Sequence, residues 1–213
     1  MDDLLIYSGY FVLLINLILY TFSFFHQEKA NVFFMVYLVF IFIIQFIMEI
    51  MYYLHMNNLF AINLFFVGQM IFLGLFYESI LKTKKQKFFV KLVITSILLV
   101  LFVQYFIEPD QFLKFNLFEI TLTSLSIVVF ALLHFYNMLS DKKEYYYYTI
   151  GVVFYLLTST VLYLVGNLTS NLGDDLKYLS WRLNAFLILM YYLFILYEWK
   201  VSFKSKKEIN TYL

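Results

Sequence analysis

Four glutamates fall inside long apolar stretches of this 213-residue chain, at Glu49, Glu78, Glu119 and Glu198. An ionisable side chain at the centre of a membrane helix costs roughly 2.5–3.5 kcal/mol on insertion scales, so each needs a reason to be there. Glu78 and Glu198 stand within about a turn of lysines and read as interfacial partners of Lys82 and Lys200 or their neighbours. Glu49 and Glu119 lie apart from any such cluster. Gln45 precedes Glu49 by four residues, on the same helical face. Glu119 opens a stripe that continues through Thr123, Ser126, Phe130, His134 and Asn137, at spacings of 4, 3, 4, 4 and 3. Those spacings put nearly every strongly polar group of the stretch on one helical face. Asn184, Tyr191 and Glu198 repeat the pattern at intervals of seven. In hydrocarbon such faces must turn toward other helices or a wet cavity, because lipid offers no hydrogen bonds.

Two chemistries suit these residues. Collected by depth, Glu49, Asn63, Glu119, Asn167, the single arginine Arg182 and Asn184 form a candidate ligand or ion site, with His55 at its rim. Arg pairs bidentately with carboxylates, so two acids and one guanidinium make either a satisfied network or a pocket. The stripe through Thr123, Ser126, His134 and Asn137 is a candidate polar path for protons or a small solute. The structural alternative is interhelical hydrogen bonding, worth about 0.6 kcal/mol per contact.

Other chemistries are excluded by residue type and spacing. The three histidines, His26, His55 and His134, fall on different segments and assemble no zinc cluster. No Glu-x-x-His pair suits a di-metal carboxylate site. Ser124 and Ser126 lie ten and eight residues from His134, more than two turns from any general base, and no glycine-rich phosphate loop occurs. With no cysteine, thiolate metal sites, disulfides and cysteine nucleophiles are all removed. The expectation is a non-enzymatic protein with no cofactor and no metal. A formal charge of +1 also argues against nucleic acid as a partner.

The elements that must position these residues follow from composition. The chain is 63% hydrophobic and 14% charged, with a mean hydropathy of +0.82. Soluble domains run nearer 45–50% apolar and about 25% charged. The expected fold is all-α, a polytopic bundle of seven transmembrane helices in one domain over 1–203, followed by a short basic tail over 204–213. The spans are expected at about 4–25, 32–54, 59–81, 88–107, 116–139, 145–167 and 180–200. The leader Met1-Asp2-Asp3 is acidic where a cleaved signal needs basic residues, so the first span is expected to stay. Twelve of the fifteen basic residues fall at one set of helix ends, and only Lys114, Lys177 and Arg182 at the other. That asymmetry predicts an outside N-terminus and a cytoplasmic C-terminus. Trp181 and Trp199, 18 residues apart, and the run Tyr145-Tyr146-Tyr147-Tyr148 read as interfacial belts.

Seven helices with an outside N-terminus invite comparison with rhodopsins, but helix 7 has no buried Lys for a Schiff base. The Asp-Arg-Tyr and Asn-Pro-x-x-Tyr features of G-protein-coupled receptors are missing too. A sugar transporter of the SWEET type hinges on prolines, whereas Pro109 is the only proline here. In Phe-Phe-Val-Gly-Gln at 65–69, Phe76-Tyr77, Asn184, Tyr191-Tyr192 and Glu198-Trp199-Lys200, the chain resembles small seven-helix membrane proteins of Bacteroidota. Those are similar to the seven-helix sensor modules fused to histidine kinases. The resemblance implies a bacterial cytoplasmic membrane and a signalling partner such as a histidine kinase acting in trans.

The reading that follows is a receptor-like signalling protein in the lipid bilayer, binding an unknown small ligand near Glu49, Asn63, Glu119, Arg182 and Asn184. A transporter or channel using the helix 5 stripe and an accessory subunit of a larger complex are the alternatives.

Overall fold

The computed structural model describes residues 2–27, 30–140, 143–169 and 174–204. The expected basic tail falls almost wholly outside them. Seven helices among the described residues are long and apolar enough to cross a membrane, the build of an integral multi-pass membrane protein. They are α1 (Asp2–Gln27), α2 (Val32–Tyr53), α3 (Leu59–Ile80), α4 (Lys84–Ile107), α5 (Leu117–Met138), α6 (Tyr146–Thr169) and α7 (Asp174–Trp199). A 3₁₀ turn (Pro109–Leu113) joins α4 to α5, and a π-turn (Lys200–Lys204) continues α7.

Local chemistry sets where these helices begin and end. Asn31 caps α2, its Oδ1 accepting from Phe33 N at 2.9 Å. The same amide donates to Ser79 Oγ at 2.6 Å, tying the start of α2 to the last turn of α3. Thr83 accepts from Gln86 N at 3.2 Å, so α4 begins at Lys84, four residues before the first apolar residue marks it. Hydropathy locates the apolar part of a span; the cap locates the helix. At the other end of α2 the chain reverses through His55, at φ 53°. His55 N–H donates to Tyr52 O and Met56 N–H to Met51 O, at 3.1 and 2.9 Å. This is the paired bonding of a left-handed helix stop, with histidine where glycine is usual.

The helices divide into two compact units, Asn31–His134 and Met1–Ala30 with Phe135–Leu213. In the first, α2, α3, α4 and most of α5 bury Phe34, Tyr37, Met70, Phe76, Tyr77 and Phe130 completely. Gly68 and Gly74 bring α3 close to its neighbours: a Cβ on Gly68 would stand 2.2 Å from the Phe40 ring, and one on Gly74 2.5 Å from Ile94 Cδ1. α4 is enclosed on one face only, through Val90, Ile94, Ile97 and Leu101. Its other face exposes Phe88, Leu92, Leu99, Phe102 and Phe106, the surface expected against lipid chains.

In the second unit α7 lies between α1 and α6, and polar groups mark both seams. On α1, Asn16 Nδ2 donates to Tyr192 O at 2.8 Å, Tyr20 Oη to Ile195 O at 3.3 Å, and Ser23 Oγ accepts from Trp199 Nε1 at 2.8 Å. On α7, the heptad Asn184, Tyr191, Glu198 faces α6. Asn184 bonds Tyr163; Tyr191 stacks on Tyr155 with ring centroids 5.0 Å apart and meets the Tyr148 hydroxyl at 3.2 Å. Tyr148 is wholly buried, so the tyrosine run is partly core and not simply an interfacial belt.

The α6–α7 seam is close enough that a Cβ on Gly151 would stand 2.6 Å from Phe194 Cβ, an atom fixed to its backbone. Gly151→Ala is therefore expected to cost about 1–3 kcal/mol through overpacking, whereas Gly9→Ala, with nothing within 4 Å of the new methyl, should cost nothing. Thermal unfolding of the two variants in detergent checks the contrast.

Candidate functional site

The candidate site is built around Glu119, in the first turn of α5. Asn116 starts the helix. Its Oδ1 accepts from Glu119 N at 3.1 Å, and its backbone oxygen takes the first helical bond, from Ile120 N. In a reciprocal capping box the N3 acid would turn back onto the cap residue's own N–H. Here Glu119 Oε2 instead accepts from the Tyr105 hydroxyl, near the end of α4. Asn116 Nδ2 lies 3.4 Å from the same hydroxyl. Tyr105, Asn116 and Glu119 thus form one hydrogen-bonded cluster, with the positive end of the α5 dipole beside the carboxylate.

Glu119 is wholly buried, and its second oxygen, Oε1, has no hydrogen-bond partner. Burying an uncompensated carboxylate oxygen is costly, so this atom is the site's most unusual feature. Asn63, on the first turns of α3, is also wholly buried. Its Nδ2 donates to Phe112 O and Lys114 O, both at 2.9 Å, and reaches Gln111 O at 3.4 Å. That amide fastens the 3₁₀ turn and the segment leading into Asn116. Its own Oδ1, like Glu119 Oε1, is left without a partner.

The other expected residues are distributed as follows. Glu49 is half-buried on α2, in the same unit as Asn63 and Glu119, and His55 is exposed. Arg182 and Asn184 belong to the other unit, Arg182 exposed and Asn184 half-buried. Within its own unit Glu119 takes Tyr105 as its partner. Along the helix 5 stripe, Thr123 Oγ1 donates to Glu119 O at 2.7 Å and Ser126 Oγ to Thr123 O at 2.7 Å. Both hydroxyl protons are thereby committed to the backbone of their own helix. His134 is buried, its ring 6.0 Å from that of Tyr77. Among the described residues no group of three or more His, Cys, Asp or Glu could hold a metal ion.

Sequence reasoning missed Tyr105, Asn116 and the anchoring role of Asn63. The Asn-x-x-Glu spacing at 116–119 was a usable signal for the cap; nothing local marks Tyr105. It also misplaced Glu198, whereas Glu78 takes a lysine of the expected neighbouring cluster. Glu78 pairs with Lys91 of α4 at 3.3 Å. Glu198 is buried and caps α6 from a neighbouring helix, its Oε2 accepting from Tyr147 N and Tyr148 N at 2.9 and 3.3 Å. Its Oε1 accepts from Ser202 Oγ at 2.5 Å. No protein-family model, curated protein or solved structure matches the chain.

Two outcomes follow. Glu198→Ala strips the α6 start of its acceptor and should cost about 1.5–3 kcal/mol, while Glu78→Gln, whose Lys91 partner is largely exposed, should cost less than about 1 kcal/mol; unfolding in detergent compares them. Asn63→Ala leaves Phe112 O and Lys114 O without their donor, so trypsin should cut after the exposed Lys114 about tenfold faster, the equivalent of about 1.4 kcal/mol.

Proposed function

We propose that the chain is a non-enzymatic, receptor-like membrane protein that takes a small ligand at Glu119. The observation that carries this reading is the contrast between the two wholly or nearly buried acids among the described residues. Glu198 has donors on both oxygens, as a purely structural carboxylate should. Glu119 has a donor on one oxygen only, and the other is buried without a partner. A group held by Tyr105 and Asn116 in a fixed orientation with one acceptor free is preorganised for a ligand that brings its own donor or charge.

The lysine distribution supports placing the 3₁₀ turn and Glu119 on the outer side, with the α3–α4 connection cytoplasmic. The 3₁₀ turn, fastened by Asn63, would then cover the way in. A ligand that binds one packing of α4, α5 and the 3₁₀ turn better than another shifts the population between them. α5 is a single helix from Glu119 to Met138, so it would carry that change to its cytoplasmic end. A histidine kinase or another effector in trans would read it there. Thr123 and Ser126, whose hydroxyl protons are used within their own helix, favour a blind site over a continuous path.

The native absence of cysteine makes the test direct. Single cysteines at Thr123, Ser126, Phe130, His134 and Asn137 are treated with a membrane-impermeant thiol reagent, in intact cells and in inverted vesicles. The expected result is labelling of Thr123→Cys from the outside alone, with Phe130→Cys and His134→Cys protected from that side. Labelling of the whole series from one side would replace the receptor by a transport path. Protection of Thr123→Cys from both sides would remove the site.

A further inference from the structure

Half of the residues from 82 to 91 are lysines: Lys82, Lys84, Lys85, Lys87 and Lys91. They occupy the α3–α4 connection and the first two turns of α4. Lys87 is half-buried and the other four are exposed. The nearest acid in sequence, Glu78, pairs with Lys91 at 3.3 Å. Among the described residues, Lys84, Lys85 and Lys87 pair with no acid. Their charges therefore stand together without a counter-charge from the protein.

The same face of α4 is apolar immediately below them. Val90, Ile94, Ile97 and Leu101 form the buried side of this helix. By the 3.6-residue period the opposite side carries Lys84 and, one turn on, Phe88, then Leu92 and Leu99, with Lys85 and Lys87 to either side of Phe88. Phe88, Leu92 and Leu99 are all exposed. One outward face thus begins with charge and continues as apolar surface. Membrane topology asks only that lysines gather at one set of helix ends; it does not ask that they head the face turned away from the protein.

We propose that this face binds an anionic phospholipid, with its phosphate among Lys84, Lys85 and Lys87 and its acyl chains along Phe88, Leu92 and Leu99. Charge complementarity selects an anion, since ammonium groups form their strongest hydrogen bonds with charged oxygens such as those of phosphate. A zwitterionic headgroup brings its own cation and leaves the lysines unneutralised. A free phosphate or an acidic polypeptide would meet the lysines alone and gain nothing from the apolar side chains below. An anionic amphiphile matches both halves of the face. Lysine stems can lie over Phe88 while their ammonium groups stay at headgroup level. The proposal is independent of Glu119.

The test uses the purified full-length chain in detergent, titrated separately with phosphatidylglycerol, phosphatidylcholine, inorganic phosphate and polyglutamate. Melting is followed throughout, and retained lipid is counted by native mass spectrometry. A ligand that binds only the folded state raises the melting temperature in a saturable way. The expected result is such a rise with phosphatidylglycerol, with retained lipid, and none with the other three. Replacing Lys84, Lys85 and Lys87 together by Gln should weaken phosphatidylglycerol binding about a hundredfold, about fivefold per lysine. Removing the same charge from the tail, through Lys204→Gln, Lys206→Gln and Lys207→Gln, should change it less than about twofold. Should the first triple variant fail to fold, the three single Lys→Gln changes are read instead, at about fivefold each. An equal loss in the tail variant would make the attraction a diffuse one and overturn the proposal. Equal shifts with phosphatidylcholine, or unchanged affinity in the α4 lysine variants, would overturn it too. A shift with inorganic phosphate would reassign the patch to a free anion, and one with polyglutamate alone to an acidic protein. Glu119→Gln should leave phosphatidylglycerol affinity unchanged, so this result and the ligand reading at Glu119 stand or fall separately.

Discussion

Hydrocarbon supplies no hydrogen bonds, and every polar group in this protein is placed under that constraint. Seven helices satisfy their own backbones, but a helix start leaves N–H groups open and each polar side chain needs a partner. The chain meets the first demand, and part of the second, with few residues. Asn31, Thr83 and Asn116 close the starts of α2, α4 and α5 locally. Glu198 closes α6 from a different helix. Asn16, Tyr20 and Ser23 turn the α1–α7 seam into a row of directional bonds. Apolar packing between helices is weakly selective when lipid is equally apolar. These bonds, together with glycine contacts such as Gly151 against Phe194, therefore fix which faces meet.

Against that economy Glu119 stands out. Its neighbours have been arranged with care: Asn116 holds its backbone nitrogen, Tyr105 holds one carboxylate oxygen, and Asn63 pins the segment between them. The arrangement then stops one bond short, leaving an acceptor in each of Glu119 and Asn63. Glu198 is completed by donors and Glu78 by a lysine. An acid with an incomplete shell is what separates Glu119 from Glu198 and Glu78, and the functional reading rests on that contrast.

Much of this was legible beforehand, and for identifiable reasons. Hydropathy alone gave seven helices, because a span must be about 20 apolar residues long whatever its neighbours are. The heptad Asn184, Tyr191, Glu198 pointed to one face of α7, and that face meets α6. Glu119 was singled out because a carboxylate inside an apolar run is expensive anywhere. Less was legible where the outcome depended on partners. Tyr148 sits in a run of tyrosines that reads as an interfacial belt, yet its hydroxyl meets Tyr191, 43 residues away, in the core. Trp199, read as a belt residue, gives its indole N–H to Ser23 across 176 residues of sequence.

The amino-acid sequence by itself determined the number of helices, their polar stripes and the positions where burial would be costly. These depend on local composition and on the 3.6-residue period, both carried within a single segment. Only the tertiary structure decided which costly groups were satisfied. Whether Glu198 caps a helix or Glu119 keeps an open oxygen depends on which distant donor arrives beside it. That arrival is set by how helices pack side by side, a relation no single segment encodes.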